Sequence, residues 1–356
     1  MGTVSKTMEA APTRATVSAN GQLRVGIVGV GLMGRWHTHA SQKAGGEIIA
    51  VADINRAHAD SFAAMFPTTQ SFSDVDEMLA QTSLDVLHVC SPTFSHQKIA
   101  ESAIKAGVHL LIEKPLAATA AETIALFDLA EDCQVNLCPV HQFAFQIGVE
   151  KAKKNLARIG RLVHLEANIC SAGGAAAASP DKVDLIAADI LPHPLSLLQT
   201  FLGTNLVDEG WEVFHPSVGE LRITNRVGEI SLSIFISMNS RPTTNYFRIL
   251  GTNGTIHLDL FHGYSIIEPG KTSQTRKIWH PFDLALRQFS AATVNLAHRA
   301  LRRESAYPGL RQLTERFYQT IKTGTKSPVT RAEAIAVAKI RDRLIKQAGI
   351  TPAETS

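Results

Sequence analysis

The sequence predicts two domains: a doubly wound α/β domain with a parallel sheet, then an α+β domain with a large, open, mainly antiparallel sheet. Three observations support this fold class: a glycine-rich turn after the first apolar run, alternating apolar and helical stretches up to residue 140, and β-branched and aromatic runs from residue 141 onward. Alternation of strands with helices is typical of parallel sheets with right-handed crossovers. With 356 residues, the chain is long enough for two cores. We therefore expect a tail over residues 1–21, a first domain over 22–140 and a second over 141–356.

The first apolar run leads directly into a glycine turn. The predicted strand Leu23–Val28 is followed by Gly29-x-Gly31-x-x-Gly34. Gly29 permits a sharp turn, Gly31 lets a pyrophosphate approach the backbone, and Gly34 lets the next helix pack against the strand. The free N–H groups at that helix start attract phosphate. The segment therefore predicts a Rossmann-type dinucleotide cradle, which also includes Leu32 and Met33.

The second apolar run ends in an acid that bears on the choice of cofactor. Asp53 follows Ile48–Ala52 and lies about 20 residues beyond Gly34, where a ribose-binding acid is typical. A carboxylate accepts from the ribose 2′-OH and repels a 2′-phosphate, so NAD is favoured over NADP. Asn55 and Arg56 join the predicted cofactor site, and Arg56 keeps NADP as the less favoured alternative. Asp53 could also cap a helix that begins near Arg56.

Polar residues follow two further predicted strands of this sheet. The remaining strands are predicted at Asp85–Cys90, His109–Ile112 and Val135–Leu137, with helices at Ser95–Ala106 and Ala120–Asp132. Ligands gather at the carboxyl ends of parallel strands. We therefore assign the following residues to the cofactor site: Ser91, Pro92, Thr93, His96, Glu113 and Lys114.

The second half of the chain predicts an antiparallel sheet and closing helices. Its strands are predicted at Leu162–Ile169, Glu220–Asn225, Glu229–Met238, Asn245–Leu250 and Gly254–Leu260, and helices over about 282–303, 312–323 and 331–347. The Thr252-Asn253-Gly254 turn is of a type that joins antiparallel strands. An open sheet leaves one face uncovered, so we expect a homodimer or homotetramer formed through it. The C-terminal helix is free to pack back on the first domain.

Composition narrows the class of protein and its compartment. The net charge of +3 gives no support for nucleic-acid or membrane binding. The four cysteines lack the paired spacing of a zinc site, which predicts reduced thiols, no bound metal and a cytoplasmic protein. Residues 1–21 lack the apolar core of a secretion signal.

Lys114 is the first candidate for chemistry. It stands at the end of a predicted strand inside Glu113-Lys114-Pro115, beside the expected nicotinamide position. A lysine there can orient a substrate hydroxyl or share its proton transfer. The alternative is an exposed lysine that pairs with Glu113.

Asp189 and His193 form the second candidate. Their i, i+4 spacing places both side chains on one face if they share a helix, with His193 as the general base. Pro192 and Pro194 suit a first helical turn, so we expect the helix to begin near His193 and Asp189 to lie in the loop before it. The alternative is a capping acid and a structural histidine.

Other histidines rank lower as site residues. His141 begins the second domain and is a candidate for substrate contact. His96 is equally a polar residue of the first helical turn. His37 and His39 follow the glycine turn on the first helix, where we expect a surface location.

These motifs, in this order, resemble those of the glucose–fructose oxidoreductase / inositol dehydrogenase / MocA family. The resemblance runs from about Leu23 to Ala348. The motifs that carry it are Gly29-x-Gly31-x-x-Gly34, Asp53, Ser91-Pro92 with His96, Glu113-Lys114-Pro115, Asp189-x-x-x-His193, Gly251-Thr-Asn-Gly-Thr255 and Gly324 to Pro328-Val329. Three segments depart from the family pattern: Asp184-Leu-Ile-Ala-Ala188 replaces a glycine-rich lead into the Asp189 motif, Ser196 stands where an aspartate is common, and His141-Gln-Phe-Ala-Phe145 replaces an arginine-bearing stretch.

The resemblance implies roles for three residues. Lys114 would contact substrate and assist proton transfer, and His193 would be the acid/base on the reacting hydroxyl, with Asp189 as its partner. Hydride would pass between nicotinamide and a substrate that is a sugar, a sugar nucleotide or a cyclitol.

Three functions remain open at this point. The first is an NAD-dependent oxidoreductase that acts on a secondary alcohol of a sugar-like small molecule. The second is a nicotinamide enzyme that reduces C=N or C=C bonds, or that uses NAD transiently for elimination or glycosidic cleavage. The third is a catalytically silent regulator that senses NAD.

Overall fold

The computed structural model describes residues 21–172, 179–203, 206–270, 274–304 and 306–351, so nearly all of the predicted tail lies outside the described residues. The strands are β1 Leu23–Val28, β2 Gly46–Ala52, β3 Gln70–Phe72, β4 Val86–Val89, β5 His109–Ile112, β6 Leu137–Pro139, β7 Leu162–Cys170, β8 Glu212–Ser217, β9 Glu220–Val227, β10 Ile230–Ser237, β11 Thr244–Gly251, β12 Gly254–Asp259 and β13 Tyr264–Pro269. The helices are α1 Leu32–Lys43, α2 Arg56–Ala63, α3 Val75–Gln81, α4 His96–Lys105, α5 Ala120–Asp132, α6 Ile147–Asn155, α7 Pro180–Ile190, α8 Pro192–Leu202, α9 Gln274–Arg302, α10 Leu310–Thr323 and α11 Arg331–Gln347.

The first sheet is parallel and doubly wound, as predicted. Its strand order is β3-β2-β1-β4-β5-β6, and every neighbouring pair in it is parallel. Strand β4 is buried along its whole length, which suits a strand covered by helices on both faces. The order reverses between β1 and β4, so the ligand crevice of such a sheet opens at the carboxyl ends of these two strands.

The second sheet is mainly antiparallel, also as predicted. Its order is β13-β12-β11-β7-β10-β9-β8, and β7 with β10 is the one parallel pair recorded among its described strands. The inward residues of β7, such as Leu165 and Ala167, are buried in a core that also contains residues of α8 and α11. One face of the sheet thus forms the second core.

The C-terminal helices connect the two cores. Leu313 and Phe317 of α10 are fully buried in the core of the first sheet. The helix α11 contributes Ala334 to that core, but Val337 and Ile340 to the core of the second sheet. The chain therefore returns to complete its first domain after it has built the second.

Several elements differ from the sequence prediction. Strands β3, β8 and β13 were not predicted, because β3 has three residues and the other two are edge strands with broken patterns. The last strand of the first sheet is Leu137–Pro139, whereas Val135–Leu137 was predicted. Pro139 is tolerated there because β6 is an edge strand. Helix α9 begins at Gln274, earlier than the predicted start near residue 282.

Among the described residues, one helical stretch is long and apolar enough to match a membrane span. It covers Pro180–Leu202, has a mean hydropathy of 1.3 and is 67% buried inside the protein. The stretch consists of α7 and α8, and Leu195, Leu197 and Leu198 belong to the second core. Its hydropathy therefore reflects core packing.

Because α10 packs into the core of the first sheet, a mutation in this C-terminal helix should lower the stability of the protein. Phe317→Ala should destabilise the protein by about 3–5 kcal/mol, because it empties a fully buried aromatic site. Chemical denaturation would measure the loss. Phe214→Ala, at a side chain that is 61% exposed, is the control, and we expect a change within about 0.5 kcal/mol. Equal effects of the two substitutions would contradict this assignment of α10.

Candidate active site and cofactor cradle

The glycine turn has the geometry of a phosphate cradle. Gly29 has φ of 82°, and a Cβ there would lie 2.7 Å from the backbone nitrogen of Ser91. A Cβ on Gly34 would lie 2.0 Å from the Gly29 carbonyl oxygen, so helix α1 packs against the turn too closely for any side chain at this position. A Cβ on Gly31 would meet nothing within 4 Å, and no side chain caps the start of α1. The open space above Gly31 and the uncapped N–H groups fit a pyrophosphate.

Asp53 is held against this turn. Its Oδ2 accepts from the backbone N–H of Val30 at 3.0 Å, and its Oδ1 accepts from that of Asn55 at 2.9 Å. The Asn55 side chain caps α2, so the alternative in which Asp53 is the cap is wrong. The Asp53 carboxylate retains lone pairs for a ribose hydroxyl. Arg56 donates to Asp60 on its own helix, at 2.9 Å.

The segment after β4 contributes a second wall of the crevice. The hydroxyls of Ser91 and Ser95 share a hydrogen bond of 2.7 Å, and Pro92 and Thr93 begin a short 3₁₀ turn beside them. This turn follows β4 at the switch point of the sheet, where the predicted cofactor site requires it.

His96 has a different environment from the one its predicted cofactor role requires. It is 1% exposed, its Nε2 lies 2.8 Å from the carbonyl oxygen of Ser91, and its Nδ1 lies 3.0 Å from that of Pro115. Burial lowers the pKa of His96, although the carbonyls oppose this effect. Because both ring nitrogens face backbone carbonyls, His96 joins the turn after β4 to the Lys114–Pro115 loop. Its contribution to the site is to position these two loops.

His37 is fully buried, so its predicted surface location is wrong. Its Nε2 lies 3.0 Å from Oε1 of Glu113, and its Nδ1 lies 2.9 Å from Nδ1 of His88. The pattern of α1 alone could not reveal this, because the partner residues come from β4 and the end of β5.

The buried contacts continue beyond His88 as a chain of hydrogen bonds. Nε2 of His88 lies 2.8 Å from the hydroxyl of Tyr318 on α10, and that hydroxyl lies 2.8 Å from Oγ of Ser41. If His37 is neutral and donates to Glu113, His88 must donate to His37 and accept from Tyr318. If His37 is the imidazolium, His88 accepts from it and donates to Tyr318, whose hydroxyl then points to Ser41. The orientation of the Tyr318 hydroxyl therefore follows the charge of His37.

Glu113 is a buried carboxylate at the centre of the site. Burial raises its pKa, but the hydrogen bond from His37, the charges of His37 and Lys114 and the Lys114 backbone N–H together leave it below the usual value. The backbone N–H of Lys114 donates to Oε2 at 3.1 Å. Through this hydrogen bond, Glu113 fixes the backbone of Lys114.

The Lys114 side chain extends to the second domain. Its Nζ donates to the backbone carbonyl oxygen of Asp189 at 3.1 Å, and its peptide bond to Pro115 is cis. The alternative of an exposed lysine that pairs with Glu113 is therefore wrong. Lys114 bridges the carboxyl end of β5 and the end of α7.

Asp189 lies in the last turn of α7, whereas a loop position was predicted. Pro192 and Pro194 begin α8, which separates Asp189 from His193 by a break at Leu191. The Asp189 side chain is 48% exposed and lies 3.7 Å from the guanidinium of Arg341. The structure therefore brings its backbone carbonyl to Lys114, and does not pair its carboxylate with His193.

His193 stands in the first turn of α8, close to the predicted helix start. Its ring stacks on Phe143, with centroids 4.1 Å apart and planes 15° apart. Its Nδ1 is buried and has no hydrogen-bond partner among the described residues. Burial lowers the pKa of His193 well below the usual value, and the charges of Lys114 and His141 lower it further. Both effects favour the neutral form of the His193 imidazole.

His141 is 6% exposed, and burial lowers its pKa to about 4. It lines a partly open pocket of about 140 Å³ together with Glu150, Ser196 and Arg316. The interaction between the two imidazoles also lowers the pKa of His193. The contact of His141 with substrate stays a prediction.

Sequence reasoning missed Tyr307 and Trp36. Their rings lie 5.5 Å apart, which places the segment between α9 and α10 against α1. Burial raises the pKa of the Tyr307 phenol, and the charge of Glu113 raises it further. The Tyr307-Pro-Gly309 motif was visible in the sequence, but nothing in its spacing indicated that it lies near Glu113.

Within the described ranges, no group of three or more histidine, cysteine or acidic residues could hold a metal ion. The cysteines in those ranges are free.

A family model described as "Oxidoreductase family, NAD-binding Rossmann fold" matches residues 23–141. Among curated relatives, the UDP-N-acetylglucosamine 3-dehydrogenase of Acidithiobacillus ferrooxidans is 30% identical over 52% of this chain and 56% of its own length. Inositol 2-dehydrogenase 1 of Saccharopolyspora erythraea is 35% identical over 29% of this chain and 32% of its own length. The chain thus spans about half the length, or less, of these relatives.

Solved structures extend the similarity of fold to most of the chain. Levoglucosan dehydrogenase in complex with NADH and levoglucosan has a TM-score of 0.74 at 19% identity, over 92% of this chain and 97% of its own. The WlbA dehydrogenase of Bordetella pertussis, in complex with NADH and UDP-GlcNAcA, has a TM-score of 0.72 at 17% identity, over 92% and 96%.

The solved structures share the two-domain fold of this chain, and the matched first domain is an NAD-binding Rossmann domain of the oxidoreductase type. The family model that matches residues 23–141 is that of the glucose–fructose oxidoreductase / inositol dehydrogenase / MocA family, which supports the resemblance seen in the sequence over the first domain.

The two glycines of the cradle should respond differently to an added methyl group. Gly34→Ala should destabilise the protein by about 1–3 kcal/mol or more, because its Cβ would overlap the Gly29 carbonyl. Gly31→Ala should leave stability within about 0.5 kcal/mol and weaken NADH binding about tenfold or more, since the methyl enters the space for the pyrophosphate. Denaturation curves and NADH fluorescence titrations would measure both. Unchanged NADH affinity in Gly31→Ala would contradict the proposed cradle.

Tyr318→Phe should cost about 1–3 kcal/mol of stability, because it leaves Nε2 of His88 buried without its partner. Denaturation at neutral pH would measure the loss. The control is Tyr246→Phe, which removes the same hydroxyl from a partly exposed residue of the second sheet, and here we expect a much smaller change. A neutral effect of Tyr318→Phe would show that the chain of hydrogen bonds contributes no stability.

Proposed function

We propose that this protein is an NAD-dependent oxidoreductase that transfers hydride between nicotinamide and a secondary alcohol or ketone of a sugar-like substrate. One observation carries the proposal: Lys114, at the carboxyl end of β5, donates to the Asp189 carbonyl at 3.1 Å, four residues before His193 at the start of α8, and this contact lies at the edge of the sheet that holds the glycine turn. This edge is where ligands of doubly wound sheets bind.

In this proposal, His193 takes the proton of the substrate hydroxyl. Its lowered pKa keeps the ring neutral near neutral pH, so one ring nitrogen retains a lone pair that can accept a proton. Stacking on Phe143 fixes the plane of the ring. In the reverse direction, the imidazolium returns the proton to the developing alkoxide.

Lys114 orients the reacting oxygen. Its ammonium has three donor protons and uses one on the carbonyl of Asp189, which leaves two for the substrate and solvent. A positive charge beside the oxygen also stabilises the negative charge that develops when the proton leaves. Glu113 holds the backbone of Lys114 while this occurs.

Bound NAD would supply the hydride acceptor, which no side chain can provide. The residues that would hold it are Gly29, Gly31 and Gly34 at the pyrophosphate and Asp53 at the ribose. The two hydrogen bonds that fix the Asp53 carboxylate beside the turn, and the pairing of Arg56 with Asp60, favour NAD over NADP.

Two kinds of similarity, to named relatives and to solved structures, support a sugar, sugar nucleotide or cyclitol as the substrate. The named relatives act on UDP-N-acetylglucosamine and on inositol, and the matched structures include a complex with levoglucosan. We also propose self-association through the outer face of the second sheet. That face carries Glu166, Arg222 and Phe235 in partly or fully exposed positions.

The function is tested first by NADH and NADPH fluorescence titrations. Turnover assays with NAD and NADP then follow on free sugars, sugar nucleotides and cyclitols. His193→Asn should bind NADH as the parent does and lose at least about a hundredfold in kcat, because general base catalysis contributes about 10²–10⁴-fold. Tight NADH binding without turnover on any alcohol or ketone would favour a regulator or the non-alcohol chemistry. A parent protein that binds neither dinucleotide would refute the proposal.

The interaction between Lys114 and His193 predicts a shift in a titration. The Lys114 ammonium lowers the pKa of His193, so Lys114→Ala should raise that pKa. The imidazolium of His193 would then persist to higher pH than in the parent. Nuclear magnetic resonance of the His193 ring in the two proteins would measure the shift, and Lys153→Ala is the control for loss of a remote charge. An unchanged His193 titration would show that the two side chains do not interact.

A further inference from the structure

The loop that carries Lys114 has no regular structure of its own. This loop, residues 113–119, connects the end of β5 to the start of α5, and each of its residues lies outside helices and strands. Backbone polar groups inside a protein need hydrogen-bond partners, and here a sheet or helix does not supply them. Leu116 and Ala117 are buried, so neighbouring elements must hold the loop. The position of Lys114 therefore depends on the side chains that bind this backbone.

Two adjacent residues of α11 bind the far end of the loop. Nη1 of Arg341 donates to the carbonyl oxygen of Ala118 at 2.9 Å. Oδ2 of Asp342 accepts from the backbone N–H of Ala120 at 2.7 Å. The two contacts span 223 and 222 positions of the chain. A helix from the C-terminal part of the chain thus holds a loop of the first domain.

The same guanidinium extends to the end of α7. Nη2 of Arg341 lies 3.7 Å from Oδ1 of Asp189, and the carbonyl oxygen of Asp189 accepts from Nζ of Lys114. Arg341 therefore contacts both the loop of Lys114 and the residue that Lys114 binds. Its Nη1 also lies 3.5 Å from Oδ1 of Asp342. Because the guanidinium is planar and its nitrogens have a fixed spacing, these contacts fix the loop relative to α7.

Arg341 lies where the segments of the two proposed reacting residues meet. A cavity of about 20 Å³ beside Arg341 is also lined by Pro115 and Pro192. These prolines are the direct chain neighbours of Lys114 and His193. Arg341 is 9% exposed, and a buried charge is costly when it loses its partners. Movement of the loop away from Arg341 is therefore unfavourable.

We propose that Arg341 and Asp342 are positioning residues, which hold the loop of Lys114 against the end of α7 and so fix Lys114 relative to His193. The inference rests on the proposed function, because the roles of Lys114 and His193 are the ones assigned there. Arg341 and Asp342 act through Lys114 and do not touch substrate. They deepen the proposed site by making its geometry depend on α11, which packs against both α5 and α8.

Arg341→Lys tests the effect on the reaction, because it keeps the charge but loses the planar fork. A displacement of about 1 Å can cost about a hundredfold in rate, so kcat should fall about tenfold to a hundredfold. The affinity for NADH should not change, since the contacts of Arg341 lie at the Lys114 loop and at α7. Steady-state kinetics on the best substrate of the parent and NADH fluorescence titration would measure the two quantities.

Arg343→Lys is the matched control for this substitution. Arg343 belongs to the same helix, its side chain is 40% exposed, and its Nη2 lies 3.5 Å from Oδ2 of Asp208. An exposed ion pair of this kind contributes little, so kcat should stay at the value of the parent. An unchanged kcat in Arg341→Lys, or an equal loss in Arg343→Lys, would overturn the inference.

The titration of His193 separates positioning from a direct effect of charge, even if Arg341→Lys fails to fold. Lys114 lowers the pKa of His193, so release of the loop in Asp342→Ala should raise that pKa. Loss of the Asp342 negative charge would by itself have the opposite sign and lower it. Nuclear magnetic resonance of the His193 ring would measure the shift, with Asp208→Ala as the control. A lowered or unchanged pKa in Asp342→Ala would contradict the positioning role.

A double variant shows whether the effect passes through Lys114. In a protein that already carries Lys114→Ala, adding Asp342→Ala should leave the His193 titration unchanged, because the ammonium is no longer there to be displaced. A further shift would mean that Asp342 acts on His193 without Lys114, and the inference would fail. The titration needs no turnover. A parent without dehydrogenase activity would therefore refute the proposed function, while the titration would still decide whether α11 positions Lys114.

Discussion

The buried carboxylate of Glu113 is the interaction on which the rest of the site depends. A buried charge is costly unless it is paired and hydrogen-bonded. Here the compensation comes from His37 on the cofactor-binding helix and from the backbone of Lys114. Because Glu113 needs both of these partners, it connects the helix after the glycine turn to the proposed catalytic lysine.

The chain of hydrogen bonds beyond His37 extends that dependence to the C-terminal part of the protein. His88 belongs to a central strand of the first sheet, and Tyr318 belongs to α10. Such a network must be fully satisfied to be stable, since a single missing partner leaves a buried polar atom without a hydrogen bond. Helix α10 is thus required by the site as well as by the core.

The fold and the cradle could be predicted because their signals are local. The glycine spacing, the acid at the end of β2 and the alternation of strands with helices all depend on neighbours within a few turns of chain. The environment of His37 could not be predicted in this way, because its partners come from β4 and β5. Asp189 shows the same limit: the helix start near His193 was predicted from the prolines, but the placement of Asp189 in α7, with its carboxylate 3.7 Å from Arg341, depends on a distant helix.

The return of α10 to the first domain has a consequence for synthesis of the protein. Domains generally fold in order as the chain leaves the ribosome. Here, however, the contact between His88 and Tyr318 spans 230 positions of the chain. The first sheet must therefore wait, with an uncovered surface and an incomplete polar network, until nearly the whole chain has been made. During that interval the apolar surface that Leu313 and Phe317 later cover stays in contact with water, although the 119 matched residues already contain every glycine and acid proposed for the cofactor site.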